Sequence, residues 1–144
     1  MKKLFYVLLV IFVMLAISSP AVIGADYYTE VSNIITETTS DMQSLMGAVQ
    51  EISKGNKTMS AGANEAGIYR DRALSQLIRM VELNSKTSRD SFHARTVSLI
   101  SDWYLVTGLL EQGLDNNDMD KINAGTQVMI SFNQKANELT AQIK

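Results

Sequence analysis

Two patterns of apolar residues divide the chain. Residues 4–17 are an unbroken apolar run. After Asp26 the apolar positions recur every three or four residues instead: Tyr28, Val31, Ile35, Thr38, Met42, Leu45, Val49 and Ile52. That rhythm puts them on one face of an α-helix, whereas a half-buried strand alternates every second residue. Thr38 is the one polar break in the seam, and Ile34 and Met46 widen it. The spacing predicts a first helix over residues 27–53. Lys54-Gly55-Asn56-Lys57 ends it, because Gly55 tolerates the left-handed position after a helix and lysines suit its negative end.

The second predicted helix covers residues 60–84. Its stripe is Ala63, Ala66, Arg70, Ala73, Leu77 and Met80, with Leu74, Ile78 and Val81 beside it. The early side chains are small, and Gly62 and Gly67 weaken helix propensity. This stretch is expected to be the least stable helical segment or to pack very close to a neighbour. Residues 84–91 are polar, and Ser88 or Asp90 starts a third helix there. With no glycine or proline to force a stop, one long bent helix is the alternative.

Phe92, Thr96, Leu99, Trp103, Val106 and Leu110 form the third seam, flanked by Val97, Ile100 and Tyr104. Gln112-Gly113-Leu114 reads as its glycine-capped ending. Asp115-Asn116-Asn117-Asp118 is the following turn, with Asn117 or Asp118 capping a fourth helix. The last seam is Ile122, Gly125, Met129, Phe132, Ala136, Leu139 and Ile143. Four segments of similar length joined by short connections predict an all-α fold, an antiparallel up-down four-helix bundle.

The N-terminal run adds an address to this picture. Met1-Lys2-Lys3 is positive, the apolar stretch follows, and Ser18-Ser19-Pro20 leads to small residues at Gly24 and Ala25. This is the layout of a secretory signal peptide. Cleavage after Ala25 leaves Asp26 as the new N-terminus, and cleavage after Gly24 is the near alternative. An uncleaved membrane anchor over residues 4–25 is the rival reading, but Ser18, Ser19, Pro20 and Gly24 interrupt its second half. Kept uncleaved, it would place Tyr27-Tyr28 at the bilayer interface. The expected organisation is residues 1–25 as signal or anchor and residues 26–144 as one domain. The protein is expected to be exported to the periplasm, the cell surface or the medium, with a membrane tether through residues 4–25 if these remain.

Composition narrows the chemistry. The 144 residues include no cysteine, one histidine and one proline. Disulfides, thiolate nucleophiles, thiolate metal sites and paired-histidine motifs are therefore excluded. Residues 26–144 hold eleven Lys and Arg against fifteen Asp and Glu, a net charge of −4. Mild acidity argues against a nucleic-acid partner.

The remaining candidates are few. The acidic run from Asp115 to Asp120 fails as a calcium loop, since from Asp115 position 5 is Met119 and position 12 is Thr126. Met42, Met46, Met80 and Met129 suggest a soft copper site, but each occupies a seam or its flank, where methionine fills a core. Glu30, Glu37, Asp41 and Glu51 read as the solvated face of the first helix. Arg70 stands on an apolar stripe, so it must reach solvent, pair with an acid or meet a ligand anion. His93 lies at the edge of the third seam. Arg70 and His93 are the ligand-binding candidates. Asn56-Lys57-Thr58 is a formal N-glycosylation sequon on an exposed turn, with Asn56 as acceptor. No catalytic residue, metal site or cofactor is expected. The function expected is that of a non-enzymatic bundle acting through a protein partner or self-association. The alternative is an extracytoplasmic carrier or sensor module for a small molecule or metal.

Overall fold

The computed structural model describes residues 25–83 and 90–143. The signal or anchor segment, apart from Ala25, lies outside the described residues, and so does most of the polar stretch after Leu83. The described chain forms four helices packed against one another, with no strand among the described residues. They are α1 (Ala25–Ser53), α2 (Met59–Glu82), α3 (Asp90–Asp115) and α4 (Met119–Thr140). None of them is long and apolar enough to cross a membrane.

Cross-helix pairs give the directions. Thr38 meets Gln76, Arg70 meets Glu111, and Asp102 meets Lys135. Nearer the other end, Arg79 meets Glu30, and Arg95 meets Gln142. The α1–α2 pairs run in opposite order along their two helices, and so do the pairs that join α3 to α4 and its end. Tyr27 of α1 reaches His93 of α3, so these two start at the same end of the bundle.

The four stripes converge on one core. Trp103, Tyr27, Phe132, Ile34, Met42, Leu45, Leu77, Met80, Leu99, Ile100, Leu110 and Met129 are its largest fully buried side chains. Trp103 and Phe132 meet with ring centroids 5.9 Å apart. Each fully buried large side chain contributes about 1.5–3 kcal/mol relative to exposure. In α1 the deeply buried aromatic is Tyr27, one residue earlier than the predicted seam, and Tyr28 is half-buried against Phe92.

The helix ends follow local chemistry. Gly55 adopts φ 77°, and the Asn56 N–H donates to Glu51 O at 2.9 Å, the closure expected after α1. Thr58 caps α2 by accepting from the Ala61 N–H at 3.2 Å. The α2 helix stops at Glu82, and Leu83 is extended, so α2 and α3 are separate helices rather than one bent helix. At the end of α3 the left-handed residue is Asn117, φ 53°, and the Asp118 N–H donates to Gly113 O at 2.7 Å. Gly113 is therefore not the cap that its sequence context suggests. It lies inside α3, where a β-carbon would come 2.9 Å from Ile122 Cγ1 and 3.0 Å from the Ile122 backbone nitrogen. Its role is to let the start of α4 cross closely.

The early part of α2 resolves its two expectations in favour of close packing. A β-carbon on Gly62 would lie 2.3 Å from Ile52 Cδ1 and 3.2 Å from Leu114 Cδ1. Ala63, Ala66 and Ala73 are buried on the same helix. Small side chains bring α2 close to its neighbours, which offsets the poor propensity of its glycines.

Two glycine substitutions separate these effects. Gly47 of α1 has nothing within 4 Å of a built β-carbon. Gly47→Ala should stabilise by roughly 0.5–1 kcal/mol through helix propensity. Gly113→Ala should destabilise by about 1–3 kcal/mol, because Ile122 backbone has to move. Urea unfolding followed by circular dichroism measures both.

Asp118 caps α4 by accepting from the Lys121 N–H at 3.2 Å. That bond, followed by the Lys121 ammonium, holds the Asp118 carboxyl below its ordinary pKa. The Glu51 carboxyl is lowered in the same way, chiefly by the Asn56 amide. A depressed native pKa stabilises the fold above the unfolded value, near 3.9 for Asp, and that contribution is lost as pH falls through the native value. Melting temperature should therefore drop below about pH 4. Asp118→Asn, which keeps an acceptor oxygen but does not titrate, should flatten part of that drop.

Candidate functional site

Among the described residues, one buried polar chain, from Thr38 to Arg72, runs between α1 and α2. Buried Thr96 and Thr107 satisfy their hydroxyls on carbonyls of their own helix, at Phe92 and Tyr104. Thr38 does the same toward Ile34 O at 2.7 Å, but its hydroxyl also lies 2.9 Å from Gln76 Oε1. The Gln76 amide then donates to Asp41 Oδ2 at 3.1 Å. The other oxygen of Asp41 accepts from Arg72 Nη1 at 3.0 Å. Thr38 is fully buried, Gln76 is 4% exposed and Asp41 is 8% exposed. The chain thus passes from the bundle interior to an exposed guanidinium, which sits 5.5 Å from the Tyr69 ring centroid.

Helix periodicity explains why these residues meet. Thr38 and Asp41 are three apart on α1, and Arg72 and Gln76 are four apart on α2, so each pair shares a face. Further along the same face, Arg79 binds Glu30 and Glu37, both at 2.6 Å. The two carboxylates, Glu37 first, hold the Arg79 pKa above its usual value. Of these residues, Glu37, Asp41, Arg72, Gln76 and Arg79 line an open groove of about 480 Å³ between α1 and α2.

The solvated-face reading of the α1 acids fails at Asp41 and holds at Glu37, which is exposed. Asp41 is buried, and Glu30 and Glu37 are partners of Arg79. Sequence reasoning missed them because the partners lie on another helix. The available signal was Thr38, the polar break in the first seam.

The residues singled out from sequence lie elsewhere. Arg70 faces α3 and ion-pairs with Glu111, in a charge contact rather than an aligned hydrogen bond. Both border an open groove of about 500 Å³ that also carries Asp71 and Asp115. The local balance is acidic, which does not favour an anion beside Arg70. His93 is half-buried, and its Nδ1 shares a hydrogen bond with the Tyr27 hydroxyl at 3.1 Å. About 27 Å of α3, at 1.5 Å per residue, separates His93 from Glu111. The fold does not bring Arg70 and His93 together. Asn56 is exposed on the α1–α2 turn, and its amide donates to Glu51 Oε2 at 2.9 Å.

Tyr27 is turned into the core. Met42, Met80 and Met129 are fully buried members of the apolar core. No group of three or more His, Asp or Glu among the described residues is arranged to hold a metal ion. The Trp103 indole N–H is buried without a hydrogen-bond partner among the described residues. Comparison with known protein families, characterised proteins and solved structures returns no match.

The polar chain can be tested by a double-mutant cycle. Gln76→Leu should cost about 1–3 kcal/mol, because it strips a donor from buried Asp41. Thr38→Val should also destabilise, by leaving Gln76 Oε1 short of a partner. The double variant should lose less than the two separate losses combined, by roughly 0.5–3 kcal/mol. Simple additivity in urea unfolding would show that the chain is not one unit.

Proposed function

We propose that this chain is an exported or membrane-tethered, non-enzymatic helical bundle that acts by binding a protein partner or a second copy of itself. The proposal includes an antiparallel up-down bundle of residues 26–144 behind an apolar signal or anchor. The carrying observation is how the charges are used. Arg70, Arg72 and Arg79 each meet a carboxylate of a neighbouring helix, at Glu111, Asp41 and the Glu30/Glu37 pair. These cations link neighbouring helices. Meanwhile Ile68, Leu105, Met119 and Ile130 stay about half exposed on three helices. These are the apolar side chains that a partner would cover.

The apolar N-terminal run supports the export part of the proposal. A nucleic-acid role gains no support from a net charge of −4 over residues 26–144. A carrier built jointly on Arg70 and His93 gains none from their separation.

Two measurements test the reading. Mass spectrometry of the chain recovered from its native compartment should show either a start at Asp26, or nearby, or an intact N-terminus in the membrane fraction. Recovery of the intact chain from the cytosol would overturn export. Sedimentation of the purified protein should show mass increasing with concentration if copies associate. A strict monomer at high concentration would leave a different protein as the partner.

A further inference from the structure

We propose that the groove between α1 and α2 binds a small zwitterion, a solute carrying one carboxylate and one ammonium group a few ångströms apart. The groove's volume of about 480 Å³ lies within the usual range of small-molecule sites. Its floor is prepared in advance. Gln76 and Arg72 hold the two oxygens of the buried Asp41 carboxylate, so that side chain is fixed before any ligand arrives.

Arg72 provides the carboxylate end. Among the described residues only its Nη1 is committed, to Asp41, and its guanidinium lies over Tyr69 at 5.5 Å. The side chain is 58% exposed and borders the groove. A guanidinium carries five donors in a planar fork suited to a carboxylate, so most of this fork remains available. Glu37 provides the ammonium end. Its Oε2 holds Arg79 at 2.6 Å, and its other oxygen remains to accept from a ligand.

Spacing and charge select the ligand class. Glu37 and Asp41 are one helical turn apart on α1, about 5–6 Å between β-carbons. Arg72, held by Asp41, is therefore offset from Glu37 by roughly one turn, a span that a short amino carboxylate bridges. Two guanidinium groups and two carboxylates line the groove, so its charges balance. A bare anion at Arg72 would face Asp41 and Glu37. A bare cation at Glu37 would face Arg79 and Arg72. A dipolar solute satisfies both ends. This site is separate from the surface association proposed above, and neither depends on the other.

The test uses the full chain, isotope-labelled and held in detergent, with the Gln76 side-chain amide as the reporter. Glycine, β-alanine and γ-aminobutyrate form a series of increasing charge separation. Acetate and methylammonium supply each half alone. At least one member of the series should shift the Gln76 amide saturably, and neither half should do so at equal concentration. Arg72→Gln should weaken that response about tenfold or more, as expected for loss of a charged hydrogen-bonding group. Glu37→Gln should weaken it as well, and Arg70→Gln should leave it unchanged. Circular dichroism checks that each variant stays helical, and if Arg72→Gln unfolds, Glu37→Gln decides. Silence from all three zwitterions, an equal response to acetate or methylammonium, or a response surviving in the folded variants would overturn the proposal.

Discussion

Everything in this fold depends on removing four apolar stripes from water at once. No single helix buries its own stripe, and most helical stability in a protein comes from packing such a face against a neighbour. Trp103, Phe132, Tyr27 and the leucines, isoleucines and methionines around them become buried only when all four helices assemble. The drive is nearly non-directional, so it holds the helices together without choosing how they align. Alignment comes from finer features: the glycines that permit close crossings, and the polar groups that must find partners.

The polar groups constrain alignment most strongly between α1 and α2. Thr38, Gln76 and Asp41 lie where apolar side chains would pack more simply. Sliding α1 along α2 by one turn would separate Gln76 from both of its partners on α1, and buried polar groups without partners cost more than the bonds they made. Arg79, bridging Glu30 and Glu37, opposes the same movement at the surface. The α2–α3 contact works differently. Gly62, Ala63, Ala66 and Ala73 allow close approach, and Arg70 with Glu111 adds a charge contact at its edge.

Function is constrained by the same economy of polar groups. Arg70, Arg72 and Arg79 lie along two grooves, each paired with an acid of the adjoining helix. Where one guanidinium keeps most of its donors, at Arg72, recognition of a small charged solute becomes chemically reasonable.

Much of this was legible along the chain. The three-four rhythm alone predicts four helices, because apolar spacing reports helical geometry directly, and the α1 seam identified most of the α1 core. The turn at Gly55 and the cap at Asp118 were also legible, since both depend on residues close in sequence. The helix ending near Gly113 was not. Glycine there serves packing against Ile122 rather than a turn, and only the approach of α4 distinguishes the two roles. Asp41 looked solvated for a similar reason: its partners, Gln76 and Arg72, are remote in sequence, and burial is a property of the assembled helices. The helices, their buried faces and their local ends can be read along the chain, because they follow from neighbours within a few residues. Tertiary structure alone decided which polar side chains meet across helices and where the grooves lie, because those depend on distances that no spacing along one chain contains.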